Sequence, residues 1–258
     1  IIKRKWANRT NRINRIHMRK IQKEGAMIMT LVVAVCLAMA MVEIVLAPGY
    51  AAKSGIKALL FLAVPVLFLL ASRKGSGLSA QRKDTVLSLV RMKPGGWRFS
   101  GLLAAGTFIG IVGAYFLLGE LFDFSTVVPA LEENLGIRRD NFIWVALYIS
   151  FINSLLEEFF FRGFAFLTLL HATGKRTAYL FSATSFALYH VAIMNGWFSP
   201  GLMILLIGSL FAAGMLFDWL DEKKGSILPS WMVHISANFA INTIGFILLG
   251  IIPGFQLE

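Results

Sequence analysis

Long apolar runs, separated by short clusters of charged and glycine residues, extend along most of the chain. A membrane-spanning helix needs about 20 mainly apolar residues, and the runs that approach this length occupy 26–47, 101–122, 142–170, 177–194, 201–217 and 227–250. A shorter run, 56–71, contains Pro65 and is counted as a seventh. The pattern predicts an all-α, polytopic membrane helix bundle with about seven transmembrane helices.

The composition supports this assignment to a membrane. Of the 258 residues, 57% are hydrophobic and 15% are charged, whereas soluble globular domains have about 25% charged residues. The single cysteine, Cys36, excludes an intrachain disulfide. Because no repeat or long linker divides the sequence, we expect a basic cytoplasmic N-terminal arm at 1–25 and a single transmembrane domain at 26–258.

The positions of the basic residues predict how the bundle is oriented. Nine lysines and arginines precede the first apolar run, seven lie between the second and third runs, and four lie in two later turns. With seven spans, all of these residues share one face of the membrane, which the positive-inside rule identifies as cytoplasmic. The opposite face would carry four basic residues, which are Lys53, Lys57, Arg138 and Arg139.

Membrane orientation explains the net charge of +11 better than nucleic-acid binding does. We therefore expect no nucleic-acid partner, and we expect the basic arm and the 72–99 loop to contact anionic lipid headgroups. The N-terminus would be cytoplasmic. The protein would be integral to a bacterial or archaeal cell membrane, or to the endoplasmic reticulum in a eukaryote.

The stretch "LLEEFFFRG" at 155–163 places three ionisable residues inside an apolar run. A charged side chain at the centre of a bilayer costs roughly 2.5 to 3.5 kcal/mol on insertion scales, so such residues usually have a function. Glu158 and Arg162 are four residues apart, which allows an ion pair on one helix face. Glu157 projects about 100 degrees away from that face, and it has no evident partner on its own helix.

Two histidines lie within other apolar runs and at a similar depth. Counted from the cytoplasmic ends of their runs, Glu157 and His190 are each thirteen residues in, His234 is seven, and Asn238 is eleven. These positions correspond to about 10 to 20 Å of depth in the bilayer. We therefore predict a buried polar cavity. The alternative is a polar cluster with a purely structural role. The presence of all four residues at similar depths favours a catalytic role.

Three short motifs carry a resemblance to a known family. They are "EEFFFR" at 157–162, "FALYH" at 186–190 and "HISAN" at 234–238. Together, within 142–250, they resemble the CPBP intramembrane proteases, which are the type II CAAX prenyl endopeptidases and their bacterial relatives. The resemblance implies that Glu157 and His190 activate a water molecule and that His234 and Asn238 stabilise the oxyanion. It further implies that Glu158 and Arg162 orient the site, and Phe186 is expected to line the substrate cavity.

The sequence leaves the question of a metal open. Glu157, His190 and His234 would form a plausible zinc site with two imidazoles, one carboxylate and an open position. The resemblance instead implies a glutamate mechanism without a cofactor. The sequence lacks the His-Glu-x-x-His, Gly-x-Ser-Gly and Gly-x-Gly-Asp patterns of other intramembrane proteases.

The leading hypothesis is an intramembrane endopeptidase that cleaves membrane-associated proteins or hydrophobic peptides, including substrates prenylated near the C-terminus. Buried glutamate and histidine residues also build proton relays and transporters, although neither repeated halves nor paired broken helices are evident here. A non-enzymatic membrane scaffold is the third alternative. The oligomeric state cannot be inferred from the sequence.

Overall fold

The computed structural model describes residues 2–72, 96–194 and 198–253, and these residues form helices and connecting turns with no strand. The predicted basic loop at 72–99 lies mostly outside the described residues. We number the helices in chain order: α1 (Ile2–Met41), α2 (Tyr50–Ser72), α3 (Gly96–Leu118), α4 (Val127–Leu135), α5 (142–173), α6 (Lys175–Ile193), α7 (Pro200–Lys224) and α8 (Leu228–Leu248).

Helices α1 and α2 pack against the middle of the chain. Helix α1 runs without a break from the predicted arm into the first apolar run, and a π-helical turn at Val42–Leu46 ends it. Helix α2 begins at Tyr50, six residues before the predicted start of the second span. Because of this earlier start, Lys53 also lies inside the helix, together with Lys57 of the predicted span.

Helix α5 is the central element of the fold. It is a continuous helical segment in which π-helical geometry occupies Tyr148–Asn153 and Glu158–Thr168. Single π turns inside α-helices are frequently found at functional sites. Glu157 and Glu158 are buried in this segment. Phe160, Phe161 and Phe164 pack against α2, and the rings of Phe61 and Phe160 are stacked with 4.2 Å between centroids.

Helices α6, α7 and α8 complete the core of the bundle. The Nζ atom of Lys175, at the start of α6, lies 2.8 Å from Glu222 near the end of α7, so these two helices are antiparallel. Close packing depends on Gly214 in α7, since a Cβ atom there would lie 2.9 Å from the Cα atom of Ala183 in α6. Gly245 in α8 makes a similar approach to the ring of Phe142.

Helix α3 lies at the edge of the bundle and contacts α8. The hydroxyl of Ser236 in α8 donates a hydrogen bond of 2.6 Å to the carbonyl oxygen of Ala104. Most of the other side chains of α3 are at least partly exposed, as expected for a helix that faces lipid. Helix α4 is short and ends at Gly136, which adopts a left-handed conformation with φ of 64°.

The predicted all-α membrane bundle is confirmed. Six helices of the described residues are long and apolar enough to cross a membrane, at Ile21–Leu46, Tyr50–Ala71, Trp97–Leu121, Phe142–Thr173, Pro200–Lys224 and Leu228–Leu248. The predicted number of seven is not confirmed, because α6 is not among these six. Helix α6 does contain the predicted span at 177–194, apart from its last residue, but its polar residues make it less apolar than the others.

Candidate active site

Glu157 lies at the point where α5, α6 and α8 meet. Its carboxylate is 2% exposed. One carboxylate oxygen, Oε2, lies 3.8 Å from Nε2 of His190 and 3.7 Å from Nε2 of His234. Three residues from three separate helices therefore converge, as their matching depths in the sequence predict.

The other ring nitrogen of each histidine fixes the orientation of the imidazole. Nδ1 of His190 lies 2.7 Å from the carbonyl oxygen of Phe186, one turn earlier in α6. Because a carbonyl can only accept, Nδ1 carries the proton and Nε2 of the neutral ring is an acceptor facing Glu157. Nδ1 of His234 lies 2.7 Å from Oε1 of Glu158, so Nδ1 of this ring also carries the proton and Nε2 is an acceptor that faces Glu157.

Glu158 and Arg162 form the ion pair that their spacing predicts. Nε of Arg162 lies 3.4 Å from Oε2 of Glu158, and both side chains are completely buried. The guanidinium also lies 3.7 Å from Oδ1 of Asp218 in α7. Two carboxylates and one guanidinium thus form a buried cluster beside the histidines.

Aromatic rings cover this buried guanidinium. The centre of the Arg162 guanidinium lies 4.0 Å from the ring centroid of Phe186 and 4.9 Å from that of Phe217. The ring of Phe186 also contacts the imidazole of His190, with 4.7 Å between centroids. Phe186, which was predicted to line the substrate cavity, therefore packs between the charged cluster and a histidine and is only 1% exposed.

Asn238 lies one turn after His234 in α8 and links this helix to α5. Its Nδ2 atom donates a hydrogen bond of 3.1 Å to the carbonyl oxygen of Ile149. Asn242, one further turn along, makes the same kind of contact with the carbonyl oxygen of Ala146 at 3.2 Å. The two amides hold α8 against the α5 segment that leads to Glu157.

Sequence interpretation missed the residue in closest contact with Glu157. Nζ of Lys57 in α2 lies 2.5 Å from Oε1 of Glu157 and 2.6 Å from Oδ1 of Asn153. The amide nitrogen of Asn153 also donates to the same Oε1, at 3.1 Å. The sequence counted Lys57 among the basic residues of the outer membrane face, whereas the structure buries its side chain inside the bundle, where it is 6% exposed.

Lys53, which the sequence counted on the same outer face, is buried as well. It lies one turn before Lys57 in α2, is equally buried, and pairs with Glu43 of the π-helical turn at 2.9 Å. Helix α2 therefore carries two buried lysines, each bound to a carboxylate. The deeper one contacts the candidate active site and the other does not.

Two aspartates in α7 were also missed. Asp218 is buried within hydrogen-bonding distance of the Ser182 hydroxyl, at 2.9 Å. Asp221 accepts hydrogen bonds from the backbone N–H and the hydroxyl of Ser230, at 3.2 and 2.7 Å. Both lie next to the lysines that end α7, so in the sequence they resemble residues of a solvated turn. The structure instead uses them to join α6, α7 and α8.

Among the residues that the structure describes, no group of three or more histidine, cysteine, aspartate or glutamate side chains has the arrangement of a metal-ion site. Glu157, His190 and His234 are the zinc ligands that the sequence leaves as an alternative, and their closest carboxylate-to-imidazole distances are 3.7 and 3.8 Å. The ammonium group of Lys57 beside this carboxylate opposes a divalent cation there, since like charges at close range repel strongly in a poorly solvated site.

Residues 139–240 match the family model described as "Type II CAAX prenyl endopeptidase Rce1-like". This segment, which we call the Rce1-like segment, is similar to that family. It contains all three motifs and confirms the resemblance, and it covers about two fifths of the chain. No match was found among curated proteins or among solved structures.

The Rce1-like segment contains Glu157, His190 and His234 but neither of the buried lysines. At the level of the family, the match and the apolar helices support an intramembrane protease of the CAAX type. Lys57 reaches this segment from a helix that the family model does not cover.

Proposed function

We propose that the protein is an endopeptidase that hydrolyses peptide bonds within the membrane, with a water molecule activated by Glu157 and His190. The observation that carries this proposal is the convergence of one carboxylate oxygen and two imidazole nitrogens at 3.7 and 3.8 Å. A water molecule that lies beside these three atoms has acceptors for its protons, which general base catalysis requires.

In the first step, the water oxygen attacks the carbonyl carbon of the substrate, and Glu157 takes the proton that the water loses. A tetrahedral intermediate with a negatively charged oxygen forms. Asn238 and His234 lie on one face of α8. The amide of Asn238 can donate to that oxygen, and His234 can donate through Nε2 when its ring is protonated and Nδ1 is bound to Glu158. An amide nitrogen has two hydrogens, so Asn238 can use one for Ile149 and the other for the intermediate.

In the second step, the bond between carbon and nitrogen breaks, and the leaving amine needs a proton. The proton that Glu157 took from the water passes to Nε2 of His190 and from there to the amine, because a neutral imidazole with Nδ1 bound to a carbonyl gains and loses protons at Nε2. The products are a carboxylic acid and an amine. Glu158 acts on His234 through their hydrogen bond, and Arg162 holds Glu158 in place.

We propose that this chemistry proceeds without a metal ion. The charge of Lys57 already compensates the Glu157 carboxylate, and the Nε2 atoms of both histidines remain as acceptors for water. If zinc were bound instead, Glu157, His190 and His234 would be its ligands, and it would supply a Lewis acid that polarises water.

The substrate class follows from the position of the site. Glu157 lies within a helix that is apolar enough to cross a membrane, so substrates must be apolar or anchored to lipid in order to reach it. We propose membrane-associated proteins or hydrophobic peptides, including those with a prenyl group near the C-terminus, as the family match suggests.

The test uses the purified protein in proteoliposomes and internally quenched hydrophobic peptides, with and without a prenylated cysteine near the C-terminus. We expect the native protein to cleave at least one member of this set and Glu157→Gln to lower kcat by about 1000-fold or more. Glu43→Gln is the matched control, because Glu43 also pairs with a buried lysine of α2. Full activity of Glu157→Gln would exclude Glu157 as the base.

A further inference from the structure

Two oxygens of one carboxylate have different surroundings in this site. Oε1 of Glu157 lies 2.5 Å from Nζ of Lys57 and 3.1 Å from Nδ2 of Asn153. Oε2 faces the imidazoles of His190 and His234. A carboxylate whose two oxygens were equivalent could rotate and present either one to water, whereas this carboxylate is held at one oxygen.

The lysine is itself held firmly. Its ammonium group also contacts Oδ1 of Asn153 at 2.6 Å, so Lys57, Asn153 and Glu157 form a closed triangle of hydrogen bonds. The same group lies 5.3 Å from the ring centroid of Phe61 and 5.1 Å from that of Tyr189, within the range of cation–π attraction. Such contacts leave the ammonium little freedom to move away.

We propose that Lys57, with Asn153, is a positioning residue that binds Oε1 of Glu157 and thereby makes Oε2 the oxygen that accepts the proton from water. This inference rests on the proposed function and extends it beyond the Rce1-like segment, since Lys57 lies in α2. Lys57 would touch neither the substrate nor the water. Its effect would be on the orientation and charge compensation of Glu157.

The molecule provides a matched control for this proposal. Lys53 lies one turn away on the same helix, is equally buried, and pairs with a carboxylate that is not part of the site. Loss of a buried ammonium at either position leaves a carboxylate without its partner, which destabilises a protein. Only the loss at Lys57 should change the chemical step.

The experiment compares Lys57→Met, Lys57→Arg and Lys53→Met in proteoliposomes, with the hydrophobic peptide that the native protein cleaves best. We expect Lys57→Met to lower kcat by about 100-fold, the scale of a misplaced general base, while KM stays within about twofold. Lys57→Arg should recover at least about tenfold of that loss, because arginine also supplies a donor and a positive charge. Lys53→Met should keep kcat within about threefold of the native value.

A second measurement does not depend on activity. If Lys57 compensates the charge of Glu157, the double variant Lys57→Met/Glu157→Gln should have a higher Tm than Lys57→Met, because the unpaired charge is removed. Addition of Glu157→Gln to Lys53→Met should not raise the Tm. If the native protein cleaves the peptide and Lys57→Met keeps the native kcat, this inference is overturned. Equal losses of kcat in Lys57→Met and Lys53→Met would overturn it too. Either result leaves the proposed function intact. An inactive native protein would overturn both.

Discussion

Nδ1 of His234 lies 2.7 Å from Oε1 of Glu158, so the second glutamate of the pair orients a histidine that faces the first. The two adjacent glutamates thus have different partners. Glu157 contacts a lysine from α2, and Glu158 contacts a histidine from α8 and an arginine from its own helix.

Substitution of Glu158 by glutamine should therefore slow catalysis without abolishing it. Glutamine can still accept the hydrogen bond from Nδ1 of His234, but it lacks the charge that stabilises the ring when it is protonated. We expect kcat to fall by about 10 to 100-fold, the usual effect of losing a carboxylate that supports a functional histidine. Peptide cleavage in proteoliposomes measures this, and Glu222→Gln, outside the site, should be unaffected.

Arg162 should be important for the stability of the fold. Its guanidinium is completely buried between two carboxylates and two phenylalanine rings. We expect Arg162→Met to lower the free energy of unfolding by about 3 kcal/mol, since removal of one partner leaves buried charges uncompensated. Addition of Asp218→Asn should recover part of this loss in thermal unfolding, and strictly additive effects would argue against the Arg162–Asp218 contact.

The packing of α6 on α7 can be tested with two glycines of the same helix. A Cβ atom at Gly214 would approach the backbone of Ala183 to 2.9 Å, whereas a Cβ atom at Gly208 would have no neighbour within 4 Å. We expect Gly214→Ala to lower the free energy of unfolding by about 1 to 3 kcal/mol through overpacking, and therefore to lower the Tm. Gly208→Ala should leave the Tm unchanged or raise it, and an equal loss in both variants would contradict the observed packing.

Metal dependence has a direct test. We expect purified active protein to contain less than stoichiometric zinc by elemental analysis, and we expect cleavage to persist after treatment with a strong chelator. Suppose instead that the protein contains one equivalent of zinc, that removal of the zinc abolishes activity, and that its return restores activity. Glu157, His190 and His234 would then be assigned as zinc ligands.

The number of membrane crossings depends on α6, which has 19 residues and is about 28 Å long. Its start lies beside the end of α7, so we expect α6 to cross the bilayer as α5 and α7 do. Arg138 and Lys223 would then lie on opposite sides. In a Cys36→Ser background, Arg138→Cys and Lys223→Cys should react with an impermeant thiol reagent from opposite sides. Reaction from the same side would mean that α6 does not cross.

The helices and the convergence at Glu157 could be predicted from sequence because both depend on local patterns. Apolar runs identified the spans, and the equal depths of Glu157 and His190 placed them in one layer. The i, i+4 spacing of Glu158 and Arg162 gave the correct ion pair.

The partners of these residues on distant helices could not be predicted. Lys57 is 100 residues away from Glu157 and lies near the start of an apolar run, where a lysine is usually an interfacial residue. Asp218 and Asp221 precede two lysines at the end of a helix, which is typical of a solvated turn. In each case the deciding fact is which helix packs next to which, and the sequence pattern does not contain it.

The positive charge that pairs with Glu157 comes from Lys57 in α2, so the Rce1-like segment lacks the cation that its buried carboxylate needs. A fragment with residues 139–240 alone would carry an uncompensated anion in its apolar interior. Grafting that segment onto other membrane helices should therefore restore hydrolysis only where the new scaffold supplies a cation at the same depth.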